Sequence, residues 1–250
     1  MSVIFTLIGA VLPQCTDDHV SGSLFYQRED GGYWDLQENI HIFSHPTLET
    51  LTIKRAKLDR RGFESVEQPS ETSLTVLHLV ECDINDEALS ELLLFPDALK
   101  HITMTQLEVP EPPLEESSDD TEDYILALRS ADHSLESISI DFPTLTSENP
   151  LKLRAFESLV SLEIRHHQLF GQSRLHSIGL PPFLERLKFL NRVDEDEGLL
   201  DLLCYTMEQK DIVARRLREM LVAEGEDEGG ISPKLKEVCK DLEDFRITTF

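Results

Sequence analysis

The sequence predicts an α/β solenoid in which short parallel strands line a concave side and helices a convex side. Three observations predict it: an L-x-x-L-x-L spacing that recurs along 250 residues, a helical apolar stripe that follows the clearest of those sets, and a 40 % hydrophobic content able to build a large core. A repeat at a near-constant period is one supersecondary unit whose apolar side is buried only by its neighbours. The spacing stands at Leu48, Leu51, Ile53; Leu74, Leu77, Leu79; Leu99, Ile102, Met104; Leu135, Ile138, Ile140; Leu159, Leu162, Ile164; and Leu184, Leu187, Phe189. Leu242, Phe245 and Ile247 form a seventh candidate set. First positions lie 26, 25, 36, 24 and 25 residues apart, followed by a gap of 58.

Taken in order, the chain opens on a ten-residue apolar run from Val3 to Leu12. No Lys or Arg precedes it and no A-x-A site follows, so it reads as a first strand in preference to the core of a signal peptide. Tyr33 to Phe43 suits the helix of that same early repeat. Residues 1–47 are therefore expected to form an incomplete N-terminal repeat, which a partner or further chain would cover. The run KRAKLDRR, Lys54 to Arg61, contains a short nuclear-import pattern at Lys54, Arg55 and Lys57 and is read as a solvated loop around one core residue, Leu58. In the second set, a strand from Leu74 to Leu79 leads to an inward Cys82 and Ile84. Asn85 or Asp86 caps a helix there, Leu89, Leu92 and Leu93 face the sheet at helical spacing, and Pro96 ends it.

LHLVECDINDEAL, through Leu77, Leu79, Cys82, Ile84, Asp86 and Leu89, resembles the cysteine-containing leucine-rich repeats of F-box/leucine-rich-repeat proteins, and HPTLETLTI and LERLKFL resemble the irregular repeats of their fungal members. The resemblance spans residues 34–250 at the level of strand spacing, within a single repeat domain over 1–250. It implies a leucine-rich repeat solenoid and a role as the substrate-recognition part of a ubiquitin-ligase adaptor. The leucine-proline opening of an F-box is not visible before Leu48.

Two segments depart from the period. The interval from Leu99 to Leu135 is longer than its neighbours, and the excess coincides with EVPEPPLEESSDDTED, residues 108–123, with eight acids, three prolines and no base. Self-repulsion and proline predict a solvated, mobile loop insertion. Ser117, followed by acids, suits an acidophilic kinase. Residues 194–250 are expected to hold one long amphipathic helix from Glu197 to Val222, with Leu199, Leu203, Met207, Ile212, Leu217 and Leu221 on one face, and then a C-terminal cap.

Charge and motifs narrow the function. Asp and Glu number 48 against 23 Lys and Arg, a formal charge of −25, which opposes binding to nucleic acid or to an anionic membrane surface. Cys15, Cys82, Cys204 and Cys239 lack metal spacing, and no asparagine stands in an N-x-S/T site, so a reducing compartment, cytoplasm or nucleus, is expected. Nucleotide, hydrolase and metalloprotease signatures are absent, and the adjacent His166 and His167 are read as loop residues unable to share an ion. Neither cofactor nor metal is expected, and the chain is read as a non-enzyme.

What remains is a binding surface for a protein or peptide. Strand residues beside the buried positions alternate to the concave side. They include His78, His101, Thr103, Ser137, Ser139, Arg165, Arg186 and Lys188, with Arg246 continuing the row. Arg165, Arg186 and Lys188 either receive an acidic or phosphorylated peptide or pair with Glu163, Asp141 and neighbouring acids. The function expected is a protein-binding scaffold of ligase-adaptor type. The alternatives are a free-standing structural repeat protein and, from a different class, an enzyme of unrecognised type.

Overall fold

Within each of two units, successive copies of the apolar spacing lie side by side in parallel strands. The computed structural model describes residues 3–8, 22–27, 33–63, 72–107, 117–148, 150–171, 180–193, 197–223, 231–240, 242 and 244–250. It divides into two units, and the architecture is α/β with parallel strands in each.

The first unit comprises residues 1–119, 123–135 and 142–144. Its strands are β1 (Val3–Ile8), β2 (Gly22–Gln27), β3 (Trp34–Asp35), β4 (Leu48–Lys54), β5 (Ala56–Leu58), β6 (Val76–Val80), β7 (Asp83–Ile84) and β8 (His101–Thr105). In the main sheet Leu24, Leu51, Leu77 and Ile102 stand in one register row, and Tyr26, Ile53, Leu79 and Met104 in the next. From Leu51 to Met104 these side chains are at most 1 % exposed. Because strand side chains alternate, a one-residue slip would turn every one of them to the opposite face, so burial fixes the register. The expected first strand is β1, but the sequence reading missed β2. Tyr33 to Phe43 forms β3 and a 3-10 segment, Gln37–Ser44, in place of the expected helix.

After the main strand the chain kinks. Arg55 and Glu81 occupy equivalent positions with φ of 53° and 54°, a left-handed conformation uncommon for residues other than glycine. The kink lets β5 and β7 start a second parallel sheet with β3, in which Leu58 pairs with Ile84. KRAKLDRR is thus β4 end, kink, β5 and a 3-10 turn, rather than a solvated loop. Its bases engage the protein: Arg55 Nε lies 2.6 Å from Glu81 Oε2, Lys57 sits 5.2 Å from the Tyr33 ring centroid, and Arg61 grips the buried Asp59. Cys82 is buried, its sulfur 3.4 Å from the Ala56 amide that donates to it. Asn85 caps α1 (Asp86–Leu92), accepting from the Ala88 amide at 2.8 Å, and Leu89, Leu92 and Leu93 are buried as the periodicity requires.

Residues 108–116 of the acidic segment lie outside the described residues. The expected loop does not extend to 123, because α2 (Thr121–Leu128) starts within it. Acids in the first turn favour a helix N-terminus, and Tyr124, Ile125 and Leu128 supply a buried face. Tyr124 donates its hydroxyl to the Ile84 carbonyl at 3.1 Å. The Ser117 hydroxyl oxygen is buried, so a kinase would need the segment to open first.

The second unit comprises residues 120–122, 136–141 and 145–250. It holds β9 (Ser137–Asp141), β10 (Ser161–Ile164), α3 (His166–Phe170), β11 (Arg186–Phe189), α4 (Glu197–Glu208), α5 (Lys210–Val213), β12 (Glu219–Val222), α6 (Pro233–Lys240) and β13 (Arg246–Thr249). Ile138, Leu162, Leu187, Met220 and Ile247 form one row; Ile140, Ile164, Phe189, Val222 and Thr249 form the next. His166 and His167 open a short helix that buries Leu169 and Phe170, where a loop was expected.

The long helix expected over Glu197 to Val222 is replaced by α4, α5 and β12. Its continuation breaks at Ala214, whose φ of −146° and ψ of 55° leave the helical region. Leu217, Met220 and Val222 supply another apolar set, dividing the 58-residue gap into 33 and 25. They are at most 2 % exposed, whereas Ile212, placed inside by the helical reading, is 82 % exposed. The two readings bury different residues, which makes them separable by mutation. Met220→Ala is expected to cost about 2–5 kcal/mol of stability through its cavity, and Ile212→Ala to stay within about 0.5 kcal/mol. Urea unfolding of both variants followed by circular dichroism checks this pair of values.

Candidate functional site

In the second unit the strand residues that do not enter the core form two polar rows. Ser137, Ser161, Arg186, Glu219 and Arg246 stand in register across β9 to β13, and Ser139, Glu163, Lys188, Leu221 and Thr248 follow one pleat along. The rows exist because each strand alternates: Leu187 and Phe189 are buried, so Arg186 and Lys188 must project from the other side. Arg165 closes the face just beyond β10, at the residue capping α3.

Each base meets a carboxylate from an adjoining strand. Arg165 Nε donates to Asp141 Oδ1 at 2.8 Å, and Lys188 Nζ to Glu163 Oε2 at 3.2 Å. Glu219 takes two cations: Arg186 Nε donates to its Oε2 at 2.6 Å, and Arg246 Nη2 lies 2.6 Å from its Oε1. The Glu219 side chain is only 12 % exposed against 54 % and 68 % for the two arginines, so a largely desolvated carboxylate holds two open guanidiniums. A groove of about 550 Å³ opens at the starts of these strands, lined by Ser161, Arg186, Arg218, Glu219, Phe245 and Arg246 among others. Lys188 is also covered from the side, its Nζ 4.4 Å from the Phe250 ring centroid.

The eight residues expected to meet a partner therefore separate into two groups. Ser137, Ser139, Arg165, Arg186 and Lys188 share the polar face of the second unit. His78, His101 and Thr103 belong to the first unit, where Thr52, His78 and Thr103 form one row and His101 sits beside Val76. Burial is the main cause that lowers the His78 pKa below the ordinary value, and the neighbouring His101 charge adds to it. At neutral pH His78 accordingly offers a neutral ring for hydrogen bonding.

Sequence reasoning missed Glu219, because β12 was read as helix. The signal that could have found it is the Leu217, Met220, Val222 spacing, which puts Glu219 beside Met220 on the opposite face. Sequence also left open whether the bases bind a partner or pair internally; in the structure they are paired. Cys82 has its thiol pushed up to about 12, chiefly by burial, and so stays protonated at neutral pH. Among the described residues no group of three or more His, Cys, Asp or Glu is arranged to hold a metal ion, and no helix is long and apolar enough to cross a membrane.

Comparison of the chain with protein-family models, with curated proteins and with solved structures gives no match.

The lowered His78 pKa has a consequence with a definite sign. Its folded value lies below the unfolded one, so its contribution to stability is complete above the unfolded histidine pKa and is lost as pH falls through that value toward the folded one. His78→Gln is expected to flatten the pH dependence of stability below about pH 6.5. In an NMR titration of the native protein, the His78 ring should show a midpoint below that of an unstructured histidine.

Proposed function

We propose that this chain is a protein-binding scaffold of the leucine-rich repeat type, a solenoid whose strand face is its concave binding surface and whose helices form the convex side. The near-constant spacing and the in-register parallel pairing support the solenoid. One observation carries the binding role: in a chain of charge −25, the polar strand face of the second unit is not acidic. Its bases Arg165, Arg186, Lys188 and Arg246 outnumber its acids Asp141, Glu163 and Glu219 by one. The remaining row members are mostly Ser and Thr, able to donate and accept hydrogen bonds.

The partner that suits this face is an extended acidic or phosphorylated peptide or protein segment. Its anions would exchange with the internal carboxylates. These pairs are only partly buried and remain screened by solvent, so each contributes on the order of 1 kcal/mol, low enough for a ligand to displace them. Guanidiniums oriented by Glu219 keep their remaining N–H groups directed outward for carboxylate or phosphate. The Ser and Thr of the same rows would add neutral hydrogen bonds. The resemblance of LHLVECDINDEAL to F-box-associated repeats extends the proposal to substrate recognition for a ubiquitin ligase.

Neutral substitutions test this best, because Arg165, Arg186 and Lys188 changed to Glu would set new like charges beside Asp141, Glu163 and Glu219. The triple variant Arg165→Gln, Arg186→Gln, Lys188→Gln is expected to keep its circular dichroism spectrum and to lose affinity for an acidic partner on the order of tenfold or more. Quantitative affinity purification with wild type and variant reads this directly. A set of captured proteins that is identical in kind and amount for the two would overturn the proposal.

A further inference from the structure

Lys188 differs from the other bases of the polar face in being engaged on two sides. Its ammonium lies 3.2 Å from Glu163 Oε2, and the Phe250 ring stands 4.4 Å away. The side chain is consequently 23 % exposed, whereas Arg186 on the same strand is 54 % exposed. Phe250 is itself 50 % exposed, so this large apolar ring is not held by the core. Its backbone amide donates to the Val222 carbonyl at 3.3 Å, which anchors the residue just past β13. Between Lys188 on β11 and the end of β13 stands only β12, and its row member there is Leu221, a partly exposed apolar residue. A ring reaching from β13 to Lys188 thus spans the position of Leu221, the apolar member of that row.

We infer that the Phe250 ring is a built-in lid on Lys188, occupying the side from which an anionic group of a partner would approach that ammonium. This deepens the proposed binding role and rests on it. The attraction is of the right kind for a lid. A cation held over a ring face in a partly solvated place gains little, so the ring can be displaced by a carboxylate that offers a full charge. Leu221, partly exposed on the intervening strand, would give an incoming chain an apolar contact beside the ammonium. Glu163, on the other side of Lys188, would hold the amine oriented while the ring leaves and until the incoming anion exchanges with it.

The lid can be read without a natural partner. In the full-length protein, the rate at which Lys188 is acetylated by an N-hydroxysuccinimide ester, followed by mass spectrometry, reports access to its amine. Lys234 and Lys236, on α6 and outside this face, provide the internal reference. Phe250→Ala is expected to raise the Lys188 rate roughly two- to fivefold and Phe250→Trp to lower it, with the reference lysines unchanged. Binding of a hexaglutamate peptide should tighten by a similar factor in Phe250→Ala. Equal acetylation of Lys188 in wild type and Phe250→Ala would overturn the lid, as would a tighter peptide complex in wild type than in the alanine variant. If acetylation accelerates but hexaglutamate binds none of the three proteins, the lid stands and the acidic-partner reading of this face falls.

Discussion

The rest of the structure depends on one constraint, the parallel register that places each apolar set against the same set of the adjoining strand. Leu51 meets Leu77, and Leu162 meets Leu187, because only that alignment buries both members while satisfying the backbone ladder. The same alignment decides what the other side of each strand presents. Arg186 and Glu219 become neighbours because Leu187 and Met220 are neighbours. The ion pairs of the polar face are therefore consequences of core packing rather than causes of it, because solvent-screened pairs are weak beside the burial of a whole apolar row.

This dependence explains what was legible in the sequence. The six clear apolar sets mark β4, β6, β8, β9, β10 and β11, since a buried strand in this arrangement needs apolar residues two apart and a third three residues earlier. Cys82, Asn85 and α1 were legible for a local reason: a small buried side chain at a bend and a capping amide act within a few residues of themselves. β2 escaped because Ser21 stands where a leucine was sought, and β12 because Leu217, Met220 and Val222 follow a helical stretch with compatible periodicity. Leu217 and Leu221 are four apart and fit a helix, while Met220 and Val222 are two apart and fit a strand. Periodicity over so short a run does not discriminate between them, and the pairing with Leu187 and Phe189 does.

The candidate site was legible only by half, for a related reason. Local alternation suffices to place Arg186 and Lys188 on a common face, because each is judged against its own strand. Their partners come from other strands, 25 residues away for Glu163 and 33 for Glu219. Pairing across strands is a property of register, and register between distant segments is settled by tertiary packing. The same holds for the kinked residues Arg55 and Glu81: nothing in their identity announces a left-handed backbone, and the second sheet that stabilises it is assembled from β3, β5 and β7.

Internal pairing on the polar face also resolves the tension between an acidic chain and a face rich in bases. Four unpaired cations there would attract acidic segments of any chain, including this one, without regard to shape. Held against Asp141, Glu163 and Glu219, they present little net field beyond a Debye length of about 8 Å, while the overall negative charge discourages indiscriminate approach. The acidic ligand proposed for this face would gain from these cations only when its own anions arrived close enough, and in the right spacing, to replace several carboxylates together. Under the proposed role, a face so paired would discriminate by geometry at contact, with long-range charge working against association. Glu219 is the hinge of that arrangement, since one largely desolvated carboxylate fixes the directions of two guanidiniums on strands either side of its own.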